Sequence, residues 1–254
     1  MKICAEETIM MQTTIHNLTS LRLFGMAQAL EEQMNNPAYT DLDFDERVSM
    51  MVDKEMNVRE NRRLSMLLRR ARFRYPSACV EEIDLRASRG LSKHTILQFA
   101  QNDWIKKHRN IIITGPTGVG KTYLACALGM SACRDGISCL YVRLPRLLEE
   151  LKLAHADGSY MKLLARISRT NVLIIDDWGL SPLTDSQRRD FLEIAEDRHN
   201  VRSTIISTQY PVSKWHKIID DPTIADAICD RLVHNAYTLN LKGESMRKLK
   251  ADLT

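Results

Sequence analysis

Apolar positions fall into two regimes along the chain. Up to about residue 75 they recur at helical spacing. Leu23, Met26, Ala27 and Leu30 follow i, i+3, i+4, i+7; Val48, Met51 and Val52 repeat part of that pattern, as do Leu64, Leu67, Leu68 and Ala71. Asn35-Asn36-Pro37 separates the first helix from the next, and Tyr75-Pro76 ends the last. From about residue 108, short apolar runs alternate with amphipathic stretches, the pattern of a parallel sheet with helical crossovers. Strands are predicted over 110–114, 138–144, 172–176, 204–208 and 237–241, and helices over 121–134, 145–156, 159–168, 186–199 and 224–234. The expected fold class is α/β: a three-layer domain on a parallel five-stranded sheet over 108–254, preceded by a small all-α domain over 1–75 and a connecting helical segment over 76–107. Residues 1–10 precede the first clear pattern and are expected to be a poorly ordered extension.

Composition narrows the class. A chain of 254 residues with 44% hydrophobic and 27% charged residues is an ordinary globular protein, with room for one α/β core and a smaller appended domain. No apolar run approaches the ~20 residues that span a bilayer. Glu6 and Glu7 stand where an export signal carries positive charge, so a cytoplasmic protein without membrane partners is expected. The six cysteines form no C-x-x-C pair, which argues against a zinc or redox site. Net charge is only +4, but it is segregated. Residues 1–58 hold four basic and ten acidic side chains; residues 59–74 hold seven arginines (Arg59, Arg62, Arg63, Arg69, Arg70, Arg72 and Arg74) against Glu60. Such a stripe either faces a polyanion or is a solvated helix face paired with the acidic stretch before it.

Two motifs carry chemistry. Gly115, Pro116, Thr117, Gly118, Val119, Gly120, Lys121 and Thr122 fit G-x-x-x-x-G-K-[ST], and Tyr123 follows. By chance four such positions occur in about one chain in a hundred of this length. The required strand lies before the loop and the required helix after it. Glycines let successive backbone N–H groups turn toward one phosphate cluster, and the helix N-terminus adds its positive end. Lys121 is expected on the β- and γ-phosphates of ATP and Thr122 on Mg²⁺. The second motif, Val172-Leu173-Ile174-Ile175-Asp176-Asp177, is an apolar strand with two acids at its C-terminal end, where open α/β sheets bind ligands. Asp176 is the candidate Mg²⁺ carboxylate, and Asp177 the candidate base for the attacking water.

The motifs occur in an order that resembles AAA+ ATPases of the helicase-loader type: NDWI (102–105), the phosphate loop, NVLIIDDWG (171–179), STIISTQYP (203–211), ICDRLVHNA (228–236) and GESMR (243–247). With LTSLRLFGMAQALEEQM (18–34) and IDLRASRGLSKHTILQFAQNDWI (83–105), the chain most resembles the IstB family, the ATPase subunits of insertion sequences. The resemblance implies an AAA+ ATPase domain with its lid domain absent or truncated. It implies a sensor-1 residue at Thr208 or Gln209, an arginine finger at Arg231 and a sensor-2-like Arg247. By residue type alone, Arg231 is equally a local salt bridge. It also implies homo-oligomers with intersubunit ATP sites, duplex DNA and a transposase as partners, and slow ATP hydrolysis stimulated by DNA or partner, because Asp177 replaces the Glu of many relatives. DNA contacts are expected from Arg59, Arg62, Arg63, Arg69 and Arg70, and from Arg143, Arg146, Lys152, Lys162, Arg166 and Arg169 on the second strand and the helical hairpin over 145–169, with Leu147, Leu148, Leu151 and Leu153 packing inside. A replicative helicase loader and a passive ATP-dependent DNA-coating protein are the alternatives.

Overall fold

The computed structural model describes residues 2–85 and 90–246. The chain divides between Met66 and Leu67, earlier than the expected boundary near residue 75. Helix α3 (Phe44–Ala71) runs across that point. Its last turn belongs to the second unit because Ala71 is fully buried there, and Phe73 packs where Gly129 has no side chain.

In the first unit, α1 (Lys2–Ser20) takes in residues 2–10, so the expected extension continues the helix. The predicted opening helix is interrupted at Leu21–Leu23, where Arg22 adopts a left-handed backbone (φ 61°). Helix α2 (Phe24–Asn35) then starts with Leu23 at its N-cap, a side chain that cannot accept an amide proton. Glu55 of α3 supplies the missing acceptor. Its carboxylate takes the Gly25 amide at 2.6 Å and the Met26 amide at 3.2 Å, at the positive end of α2. Arg59 closes the arrangement at 2.6 Å. This approach requires Gly25, since a Cβ there would fall against the backbone of Lys54 and Glu55.

In the second unit the five strands form one parallel sheet in the order β2-β3-β4-β1-β5. They are β1 (Asn110–Thr114), β2 (Cys139–Arg143), β3 (Val172–Trp178), β4 (Ser203–Thr208) and β5 (Ala236–Asn240). Every residue of β1 and β4 is buried, as a sheet covered on both faces demands. Helix α6 (Lys121–Arg134) follows β1, and the hairpin of α7 (Leu144–Asp157) and α8 (Tyr160–Arg169) turns at Gly158 in the left-handed region. Leu147, Leu148 and Leu151 are core, but Leu153 is exposed: two residues past Leu151 lies the far side of a helix. Helix α9 (Asp185–Arg198) ends on buried Arg198, whose guanidinium donates to the backbone carbonyls of Ile167, Thr170, Asn171 and Ser203. It thereby ties together the N-terminal ends of β3 and β4. Shorter helices α4 (Lys93–Ala100) and α5 (Asp103–Lys106) precede β1, and α10 (Trp215–Ile219) and α11 (Pro222–Val233) precede β5. Among the described residues no helix is long and apolar enough to cross a membrane.

Two tests follow for the first unit. Gly25→Ala gains up to ~1 kcal/mol of helix propensity but forces two backbones apart, so chemical denaturation is expected to show a net loss of about 2 kcal/mol. Burial pushes the Glu55 carboxyl up, but Arg59 and the two amides outweigh it and hold its pKa below the ordinary value. A depressed acid stabilises above its unfolded pKa, so stability is expected to fall as pH drops through the carboxylate range, and Glu55→Gln should flatten that dependence.

Candidate functional site

The C-terminal ends of β1, β3 and β4 meet at one cleft, lined by Arg74, Thr117, Gly118, Lys121, Thr122, Asp176, Asp177, Trp178, Leu180, Ser207, Thr208 and Gln209. The phosphate loop enters it from β1. Gly115, Gly118 and Gly120 have φ of 149°, 82° and 100°, which other residues rarely adopt. A Cβ at Gly115 would also strike the Leu241 carbonyl, so this glycine lets the strand end pass against β5's continuation. Pro116 is exposed and Val119 fully buried beneath the loop. The Lys121 amine folds onto the Gly115 and Pro116 carbonyls at 2.8 and 2.9 Å. The cleft is accordingly small, about 60 Å³. A larger one of about 750 Å³, lined by Glu31, Glu32 and Lys54 among others, lies in the first unit and has no phosphate-binding element. Tyr123 does not reach the phosphate cleft, since its hydroxyl donates to Glu82 and accepts from the Cys79 amide.

Asp176 is 1% exposed at the end of β3. Its Oδ2 accepts from Thr122 at 2.9 Å and from the Tyr141 hydroxyl at 2.8 Å. Tyr141, on β2, was not legible as a site residue. Only the parallel pairing of β2 with β3 brings it there. Burial, then the Asp176 charge, pushes the Tyr141 phenol far up, so it remains a donor. Hard oxygens from one hydroxyl and one carboxylate suit Mg²⁺, whose remaining ligands would have to come from phosphate and water. Among the described residues no group of three or more His, Cys, Asp or Glu could hold a metal without such help.

Asp177 sits at an irregularity within the strand. A bulge between Ile175 and Trp178 interrupts the β3–β4 register, and Asp177 takes φ 62°. Strained backbone of this kind costs ~1–3 kcal/mol and clusters at functional sites. The Asp177 carboxylate accepts from Arg143 Nε at 2.6 Å. That arginine ends β2, directly ahead of the basic hairpin. Arg143, Arg146 and Arg166 line a second cleft of about 130 Å³ with Arg72 and Glu150, and Glu150 holds Arg146 and Arg166 at 3.5 and 3.6 Å. Lys152, Lys162 and Arg169 are exposed. In the arginine-rich segment, Arg59 pairs with Glu55 and Arg62 stacks over Phe24, while Arg69 and Arg70 are exposed. Arg63 is exposed as well.

The two sensor candidates separate by geometry. The buried Thr208 hydroxyl donates to the Trp178 carbonyl at 2.9 Å and accepts from the Tyr210 amide at 3.1 Å. The Gln209 amide oxygen accepts from Thr117 of the phosphate loop at 2.8 Å. Arg231, on α11, does not line the cleft. It pairs with Glu196 and with Asp230, the latter at 3.5 Å. Arg247 lies outside the described residues.

Residues 16–253 match the family described as IstB-like ATP binding protein. The chain is 47% identical over 235 residues to the insertion sequence ATP-binding protein y4pL of Sinorhizobium fredii, covering 92% of this chain and 96% of that one. It is 49% identical over 205 residues to the insertion sequence IS1162 ATP-binding protein of Pseudomonas fluorescens, covering 81% and 89%. In fold it matches the DnaC helicase loader, with a TM-score of 0.56 at 24% identity, over 66% of this chain and 99% of that one.

The geometry predicts opposite results for the adjacent polar pair. Thr208→Val strands a buried carbonyl and a partly buried amide and should cost about 1–3 kcal/mol in chemical denaturation. Gln209→Ala should leave stability within ~0.5 kcal/mol and act on nucleotide-dependent behaviour alone.

Proposed function

Because the chain belongs to the IstB-like ATP-binding proteins, we propose that it is an ATP-hydrolysing AAA+ regulator of DNA transposition. ATP-bound subunits oligomerise on target DNA and recruit or activate a transposase, and hydrolysis resets the assembly. The observation that carries this reading is the continuous set of contacts from Thr122 through Asp176 to Tyr141, with Asp177 beside it tied to Arg143 of the basic hairpin. One end of that set suits a magnesium triphosphate and the other a polyanion.

Each residue then has a task. The loop N–H groups and Lys121 hold the phosphates, with the amine leaving its loop carbonyls to do so. Thr122 and Asp176 would hold Mg²⁺, which when bound would supply charge stabilisation at the phosphates, and Tyr141 orients Asp176. Asp177 polarises the attacking water once Arg143 releases it; until then turnover is slow. Gln209 is favoured as sensor 1 because its amide already faces the loop, whereas Thr208 is consumed by backbone. Arg231 acts on a neighbouring subunit's ATP, exchanging Glu196 and Asp230 for phosphate. DNA engages the arginine cleft and the exposed Lys152, Lys162 and Arg169 through its phosphates, with Arg59, Arg62, Arg63, Arg69 and Arg70 as a second contact region. Binding is therefore weakly sequence-dependent and salt-sensitive.

Lys121→Ala should abolish ATP-dependent assembly on duplex DNA, followed by sedimentation velocity. Assembly identical to wild type would overturn the switch. Arg143→Gln frees Asp177, so DNA-independent phosphate release should rise about two- to fivefold and further stimulation by DNA should shrink. Turnover that is negligible in wild type and variant, even with DNA and transposase present, would favour the passive coating protein instead.

A further inference from the structure

The phosphate-loop motif does not account for every basic side chain at its cleft. Arg74 follows α3, forty-odd residues before the loop, yet it lines the cleft beside Lys121, Thr122 and Asp176. Burial is the strongest single influence and lowers its pKa, but the Tyr141 hydroxyl, then Tyr75 and, least, the Asp176 charge together outweigh it, so the guanidinium stays charged.

Its position is built by the residues on either side. Ala71 is fully buried. The Phe73 ring sits where a Cβ on Gly129 would come within 2.7 Å of it, so a helical glycine of α6 makes room for the segment. The Tyr75 ring lies 5.9 Å from that of Tyr123, and the Cys79 amide donates to the Tyr123 hydroxyl at 3.3 Å. All these contacts are to α6, the helix that begins with Lys121 and Thr122. Arg74 is thus carried on a segment clamped to the nucleotide helix, and its side chain turns into the cleft.

We propose that Arg74 is a phosphate-binding residue acting in cis, its guanidinium contacting the terminal phosphate of the bound nucleoside triphosphate. The proposal rests on the ATP-site reading above. Three features favour the terminal phosphate. Arg74 shares the cleft with Thr122 and Asp176, the residues that would hold Mg²⁺ beside the outer phosphates of a bound triphosphate. The planar guanidinium carries five donors, so an interaction with Tyr141 leaves others for phosphate oxygens. The cleft's carboxylates, Asp176 and Asp177, oppose a triphosphate, and Arg143 is already engaged with Asp177, so Arg74 adds a second positive charge to that of Lys121. Occupancy by ATP then fastens residues 72–75 more tightly than ADP does, and that segment leads back into α3.

The test uses the full chain with a fluorescent ATP and the matching ADP, each with Mg²⁺, by anisotropy, with hydrogen exchange over residues 72–78. Wild type should bind ATP, and ATP should slow exchange in that segment more than ADP. Arg74→Gln should weaken ATP binding about tenfold, and ADP binding by less than about threefold, with the extra protection lost. Arg74→Lys should restore part of the ATP affinity, and an unchanged melting midpoint in both variants would show that the fold is kept. If wild type binds ATP and Arg74→Gln binds it equally well, or loses ATP and ADP in equal measure, the terminal-phosphate role of Arg74 is overturned and the ATP-site reading stands. If wild type binds neither nucleotide, the ATP-site reading falls and Arg74 with it.

Discussion

One oxygen atom, Oδ2 of Asp176, holds the site together. It accepts hydrogen bonds from Thr122 at the start of α6 and from Tyr141 on β2, while its own residue lies near the C-terminal end of β3. A carboxylate that is 1% exposed is expensive to bury without such partners. The interaction therefore constrains three elements at once. β2 must pair with β3 in the observed register, α6 must begin directly after the phosphate loop, and the loop must return over the end of β1. The buried strands place those ends together, and the shared carboxylate fixes their relative positions to within hydrogen-bonding distance.

Beside this fixed point the structure is strained. The bulge after Ile175 puts Asp177, still within β3, in a left-handed conformation, and Arg143 donates to its carboxylate. Adjacent acids thus have opposite circumstances. Asp176 is buried and held by neutral hydroxyls; Asp177 is more accessible and held by a cation that itself borders the arginine cleft. On the proposed reading, that pairing is the physical connection between polyanion binding and the nucleotide. Exposed ion pairs of this kind are weak, which suits a contact that must exchange.

Much of this was legible in the residues, for reasons that differ by element. All five strands lie within two residues of their predicted ends, because β-branched runs bounded by turns leave little freedom. The phosphate loop and Asp176-Asp177 were legible because their chemistry is local. The break at Arg22 was not: its surroundings keep helical spacing and contain no proline, and only the tertiary acceptor Glu55 makes a new helix start profitable there. Tyr141 and Arg74 were missed as site residues for a related reason. Their contacts join segments thirty or more positions apart; Tyr141 belongs to no local motif, and Arg74 is one arginine of a stripe whose pattern does not single it out. Leu153 reversed its expected role because helix phase, which the leucine-rich run obscures, puts it outside.

On the proposed reading, this chain's phosphate loop and Asp176 form a magnesium–ATP site. Calorimetric titration of ATP into the purified chain, with Mg²⁺ and again with the metal chelated, tests it most directly. The account predicts saturable binding approaching one ATP per chain with Mg²⁺ and clearly weaker binding without it. No saturable binding, or binding indifferent to the metal, would contradict it.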